Sequence, residues 1–214
     1  NPTHFKVLKE SMKIRVGDEV ATRKGNLLIE FADGSSIRLE ERSNLVFNKL
    51  SHFGRTGMVD TRLRLKKGAL STEVSPLVKG SRYEITTPSA VAAVRGTKFR
   101  LVAEPEKTRL EVVEGAVDFS GAHGKVVVSA GQGAVIKQDS AIIETKQLPL
   151  PPTPRFDTEV VTDLPSTLRW QPQRNAQEYR FEVTDDNRSN KLLELKNSDK
   201  PELVIEHVKN GEYS

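Results

Sequence analysis

The 214-residue chain contains no cysteine, a single tryptophan, two methionines and only 6% aromatic residues. The missing thiols exclude disulfides, cysteine nucleophiles and thiolate-held zinc, and they leave the compartment open. No apolar run approaches the roughly 18 residues that a helical membrane span needs, and no window keeps a helical apolar period for three turns. The four histidines, His4, His52, His123 and His207, show no HxH, HxxH or HExxH spacing, so no metal site is expected. There is no GxSxG elbow. Gly131-Gln132-Gly133 lacks the third glycine and the following helix of a phosphate loop, and reads as a turn. The carboxylate neighbours Glu40-Glu41 and Asp185-Asp186 would point to opposite faces of a strand, the wrong arrangement for shared acid–base work. No catalytic residue, cofactor or metal is therefore predicted. The chain starts at Asn1 rather than Met, which reads as a processed or cut piece.

What is present is a globular balance of 36% hydrophobic and 29% charged residues, in a chain long enough for one large or two modest domains. The net charge of +4 mildly favours acidic partners and is weak support for nucleic acid. Up to about Ile143 short alternating runs are separated by Gly or Asp-Gly, a β pattern throughout. The clearest signal is Asn26 to Glu40, NLLIEFADGSSIRLE. A two-residue turn at Asp33-Gly34 would pair Ile29 with Arg38 and mix the faces. A three-residue loop, Ala32-Asp33-Gly34, pairs Ile29 with Ile37 and Leu27 with Leu39 and makes one face apolar, so the longer loop is predicted. Glycines also lead strands: Gly25, Gly68, Gly96, Gly115 and Gly133. The recurrence suggests one unit used repeatedly in a wound, solenoid-like or double-sheet β domain; glycine marking ordinary hairpin corners is the alternative.

Leu148 to Pro154, LPLPPTP, reads as an extended linker. The predicted organisation is a β domain over 1–146, a Pro-rich linker over 147–158, and a second β domain over 159–214. Strands resume at Ser166 to Trp170, Tyr179 to Val183, Leu192 to Leu195 and Leu203 to Ile205. Trp170 and the Tyr179-Phe181-Val183 alternation suit half-buried sandwich strands.

Several stretches, in order, resemble the FecR domain family. They are VGDEVAT from Val16, FADGSSIRL from Phe31, Ser43-Asn44-Leu45, RLKKG from Arg64, ITTPSAVAAVRGTKF from Ile85, VVEGAV from Val112, and AGQG from Ala130. The last third is different: STLRWQP and AQEYRFEVTDD are similar to the B and C strands of a fibronectin type III domain, which looks incomplete after Glu206. The resemblance implies a non-enzymatic periplasmic domain of a Gram-negative envelope. Members include envelope proteins in which the domain follows a peptidoglycan-binding LysM domain, and membrane-bound regulators that relay a transporter signal to a sigma factor. The fibronectin-like segment fits the LysM-associated type, a scaffold or ligand-sensing module; regulation of an extracytoplasmic sigma factor is the alternative.

Two features point to anionic ligands. Thr61 to Lys67 alternates so that Leu63 and Leu65 face a core while Arg62, Arg64 and Lys66 form an exposed basic ladder. The simpler reading is a cation-guarded sheet edge. Arg95, beside Gly96, is either an anion contact or a side chain that satisfies carbonyls at a strand turn. The expected partners are an envelope glycan or another envelope protein, with no nucleic acid and no membrane span.

Overall fold

The computed structural model describes residues 6–140, 143–150, 152–155, 164–174, 176–184 and 192–206; His4, His207, Asp185 and Asp186 lie outside them. Two compact units divide at Leu148/Pro149. Every regular element is a strand, and among the described residues no helix is long and apolar enough to cross a membrane.

The first unit holds β1 (Glu19–Ala21), β2 (Leu27–Glu30), β3 (Ser36–Leu39), β4 (Asn44–Phe53), β5 (Met58–Glu73), β6 (Arg82–Thr86), β7 (Val91–Val94), β8 (Lys98–Ala103), β9 (Lys107–Glu114), β10 (Ala116–Ser120), β11 (Lys125–Ser129), β12 (Gln132–Lys137) and β13 (Ile143–Gln147). They form two layers that share β5. The first half of β5 pairs with β4 and, in parallel, with β6; its second half, from Gly68, pairs with β3 and β8. The first layer runs β1-β4-β5-β6-β7-β10-β11 and the second β2-β3-β5-β8-β9-β12-β13. The chain changes layer after β1, β3, β5, β7, β9 and β11, and once inside β5.

Residues with left-handed backbone stand at most of these crossings: Gly25, Arg42, Gly68, Gly96, Gly115 and Gly131. The expected glycine-led winding is therefore the architecture, a double-sheet roll. One corner differs: Gly131 makes the turn, and Gly133 lies buried in β12 opposite Glu111, where Leu148 packs over it.

Alternation fills the roll. Leu45, Phe47, Leu63, Leu65, Tyr83, Ile85, Val117 and Phe119 face inward from the first layer. Ile37, Leu39, Leu70, Phe99, Leu101, Leu110 and Val112 meet them from the second. The β2–β3 hairpin has the predicted register, Leu27 opposite Leu39 and Ile29 opposite Ile37. Its loop is Ala32-Asp33-Gly34, closed by Phe31 N–H to Ser35 O (2.9 Å) with Gly34 at φ 83°. The Asp33 carboxylate accepts from the Ser35 amide and hydroxyl, and the Ser35 hydroxyl accepts from the Ser75 amide.

The tightest contact is at Gly68. It has φ 91°, and a side-chain carbon added there would lie 2.2 Å from Ser43 Oγ and 2.5 Å from Ser43 Cα. Ser43 Oγ accepts from the Ala69 amide (2.9 Å), so the serine is held in that position.

The second unit has a sheet of β14 (Pro154–Arg155), β15 (Ser166–Trp170) and β18 (Glu202–Ile205), and a pair of β16 (Tyr179–Thr184) and β17 (Leu192–Ser198). Part of the proline-rich stretch thus joins a sheet. The backbone of Pro154-Arg155 pairs with Trp170-Arg169 at an edge, where a strand tolerates proline's missing N–H. Trp170 is buried and meets the Tyr179 ring edge-on at 5.3 Å.

Gly68→Ala combines a left-handed backbone with a backbone clash, and we expect a loss of about 3 kcal/mol or more. A urea or thermal melt checks this; a parental midpoint would show that the layers separate there without cost.

Candidate functional site

The outer face of the first layer carries the basic ladder. Leu63 and Leu65 are fully buried, and Arg62, Arg64 and Lys66 point outward, as alternation requires. Their neighbours, however, are set by strand pairing. Asp60, two residues before Arg62 and on the same face, receives Arg62 Nε at 2.9 Å and Arg62 Nη2 at 3.0 Å. Lys49, opposite Arg62 on β4, reaches the same carboxylate at 2.7 Å. Lys66 Nζ lies 2.6 Å from Glu19 Oε2 on β1, and Asn44 donates to the other Glu19 oxygen.

These contacts act on the carboxyl groups. Hydrogen bonds from Lys66 and then Asn44 hold Glu19 below the ordinary glutamate range. Partial burial works to raise Asp60, but the hydrogen bonds from Arg62 and Lys49 outweigh it and the carboxyl is held low. Arg64 is exposed and has no ion-pair partner among the described residues.

β5 is an interior strand, paired on both sides, so the edge-guard reading of the ladder does not hold. Two of its three cations balance carboxylates from β1 and from β5 itself. Arg95 lies one residue past β7, separated from β5 by β6, at the end of the layer where β5 begins. It is exposed and makes no hydrogen bond among the described residues, so it satisfies no carbonyl there. The structure therefore does not gather Arg95 and the ladder into one pocket. Glu19 meets Lys66 only because β1 and β4 lie beside β5, whereas Asp60 stands two residues before Arg62 on the same strand face and is within reach of the period-two pattern alone. His52 on β4 and His123 in the β10–β11 turn are exposed and far apart in the strand order.

The segment Ile85 to Phe99 does structural work. Ile85, Ala90, Ala92, Val94 and Phe99 are core residues. Thr87 and Ser89, in the β6–β7 turn, each lie 2.7 Å by their hydroxyls from that of Thr108, a fully buried residue on β9 in the other layer. Thr87 Oγ1 also donates to Ala90 O (3.0 Å) and accepts from Ala90 N (2.9 Å). Arg95-Gly96-Thr97 makes the next crossing, where the Thr97 carbonyl accepts from the Val74 amide at 2.9 Å.

Residues 18–118 match the FecR protein family model. The matched stretch begins one residue before β1 and ends inside β10, and β11 to β13 extend the same roll beyond it. No curated protein matches the chain. Two crystal structures of a protein assigned as an anti-sigma factor from Parabacteroides distasonis ATCC 8503, at 2.50 Å and 1.65 Å resolution, have a similar fold. Each shares 16% identity at a TM-score of 0.51, with 61% of this chain and 60% of that one covered. This chain therefore spans about 60% of the length of those structures. At such identity the likeness is one of fold.

Two outcomes follow for the first unit. Thr108→Val removes the buried hydroxyl shared by the half-buried Thr87 and Ser89, and a loss of about 1 kcal/mol in a urea melt is expected. On an anionic column, Arg64→Ser should lower the eluting salt concentration more than Arg62→Ser, because Arg62 is already offset by Asp60. Asp60→Asn should raise it. Equal shifts for the two arginine variants would mean that the Asp60 pair does not persist in solution.

Proposed function

We propose that this chain is the periplasmic signalling part of a regulator that controls an extracytoplasmic sigma factor, acting through protein contacts and without catalysis. The observation that carries this reading is the FecR match over 18–118, on a fold shared with a protein assigned as an anti-sigma factor. The chemistry of the surface is in keeping with it. The candidate anion contacts Arg62 and Lys66 are occupied by carboxylates, leaving Arg64 and Arg95 as isolated cations, an arrangement closer to a protein contact surface than to a small-ligand pocket.

A second reading, an envelope scaffold associated with peptidoglycan through segments outside this chain, has one observation in its favour. The sheet β14-β15-β18 beside the pair β16-β17 follows the division of early strands in a fibronectin-type-III-like sandwich, with Trp170 and Tyr179 meeting in its core.

Deleting 18–148 from the protein in its own cell separates the two. The signalling reading expects altered transcription of a small promoter set that depends on one sigma factor, and expects purified chain to stay in the supernatant when isolated sacculi are sedimented. Unchanged transcription together with co-sedimentation would establish the scaffold instead.

A further inference from the structure

Three segments meet at the end of the first layer remote from Gly68. Phe53, at the base of the β4–β5 hairpin tip, is paired with Met58. A side-chain carbon added at Gly80 would lie 3.2 Å from Met58 Sδ, so the 74–81 connection runs beside that pair. A carbon added at Gly96 would lie 3.1 Å from Pro76 Cα, which sets the β7–β8 crossing, and Arg95 with it, against the same connection. This chain of contacts brings Phe53 and Val78 to one end of the roll, with Arg55, Lys79 and Arg95 beside them.

Their exposure is the informative part. Phe53 is 50% and Val78 43% accessible, although the layers below them hold a closed apolar core. Arg55, Lys79 and Arg95 are exposed and have no carboxylate partner among the described residues. Of the acids at this end, Asp60 is engaged by Arg62 and Lys49, Glu84 by Arg82 and Asp33 by the Ser35 amide and hydroxyl, while Glu114, next to the Gly115 turn, is exposed without an ion-pair partner among the described residues. Exposed large apolar groups on loops ringed by unbalanced cations fit the boundary between lipid headgroups and acyl chains. There the apolar groups leave water while the cations stay at the phosphates.

We infer that this end of the roll docks on a bilayer surface rich in anionic phospholipid. Phe53 and Val78 enter the acyl boundary, and Arg55, Lys79 and Arg95 face the lipid phosphates. The three cations sit on three separate segments. Their charge is thus spread over the end of the domain, which suits a planar array of phosphates better than one extended acidic peptide. The ladder on the outer face, with Arg62 and Lys66 already paired, plays no part in this contact.

The test uses the full chain and sedimentation with phosphatidylcholine vesicles, with or without about 30 mol% phosphatidylglycerol. Binding to the anionic vesicles that falls as salt is raised is expected. Phe53→Ser with Val78→Ser should lower the partition about tenfold, and Arg55→Ser with Lys79→Ser and Arg95→Ser should do the same on anionic vesicles. Lys137→Ser, which breaks an exposed pair with Glu144 on the second layer, should change nothing. All the altered side chains are exposed, and an unchanged thermal melt verifies that the variants are folded. Absence of wild-type binding to anionic vesicles overturns the inference, as do variants that partition like the parent. Binding to polyglutamate without binding to vesicles also overturns it, and assigns this end to an acidic protein partner.

Discussion

One strand belongs to both layers, and the rest of the roll depends on how it passes between them. β5 runs unbroken for 16 residues, from pairing with β4 and β6 to pairing with β3 and β8. It can do so because residue 68 has no side chain where the backbone of Ser43 presses against it, and because Ser43 in turn takes the Ala69 amide. With that corner in place, the strands before β5 change layer at the Gly68 end, at Gly25 and Arg42, and the later ones at the opposite end, at Gly96, Gly115 and Gly131. Both ends of the roll are laced by chain, so the apolar faces of the two layers have no means of sliding past each other.

The same winding explains what the family pattern records. The residues that carry it, from Thr87 to Phe99, are those that turn, cross and fill the core: a buried hydroxyl relay to Thr108, small alanines on β7, and a left-handed crossing at Gly96. The sheet faces carry ion pairs, Arg62 and Lys49 to Asp60 and Arg100 to Glu40, while Arg64 on a face and cations at both ends of the roll have no carboxylate partner among the described residues.

Legibility in the sequence followed the range of the interaction. The register of the β2–β3 hairpin was readable because only one loop length puts Ile29, Ile37, Leu27 and Leu39 on a single face. The inward turn of Leu63 and Leu65 was readable for the same reason of period two. The corner at Gly131 was misplaced to Gly133, because two glycines bracket Gln132 and only the hydrogen bonds from Ala130 N–H to Gly115 O and from Gly131 N–H to Val112 O tell which of them turns.

The basic ladder shows where local reading ends. The alternation of cations from Arg62 to Lys66 is a local property, and so is their outward direction. Whether β5 lies at an edge or in the interior, whether Glu19 and Lys49 lie within reach, and whether Arg95 joins the ladder are questions of strand order. Strand order joins β5 to β6 in parallel and sets β4 and β1 on its other side. What the sequence by itself determined is the all-β class, the hairpin loop, the apolar faces of that hairpin and of Leu63 and Leu65, and glycine as the mark of most corners. All of these arise from steric and hydrophobic rules that act within about ten residues. Only the tertiary structure decided which distant charges neutralise each other, because those pairings join residues such as Glu19 and Lys66 that meet only after the chain has wound through both layers.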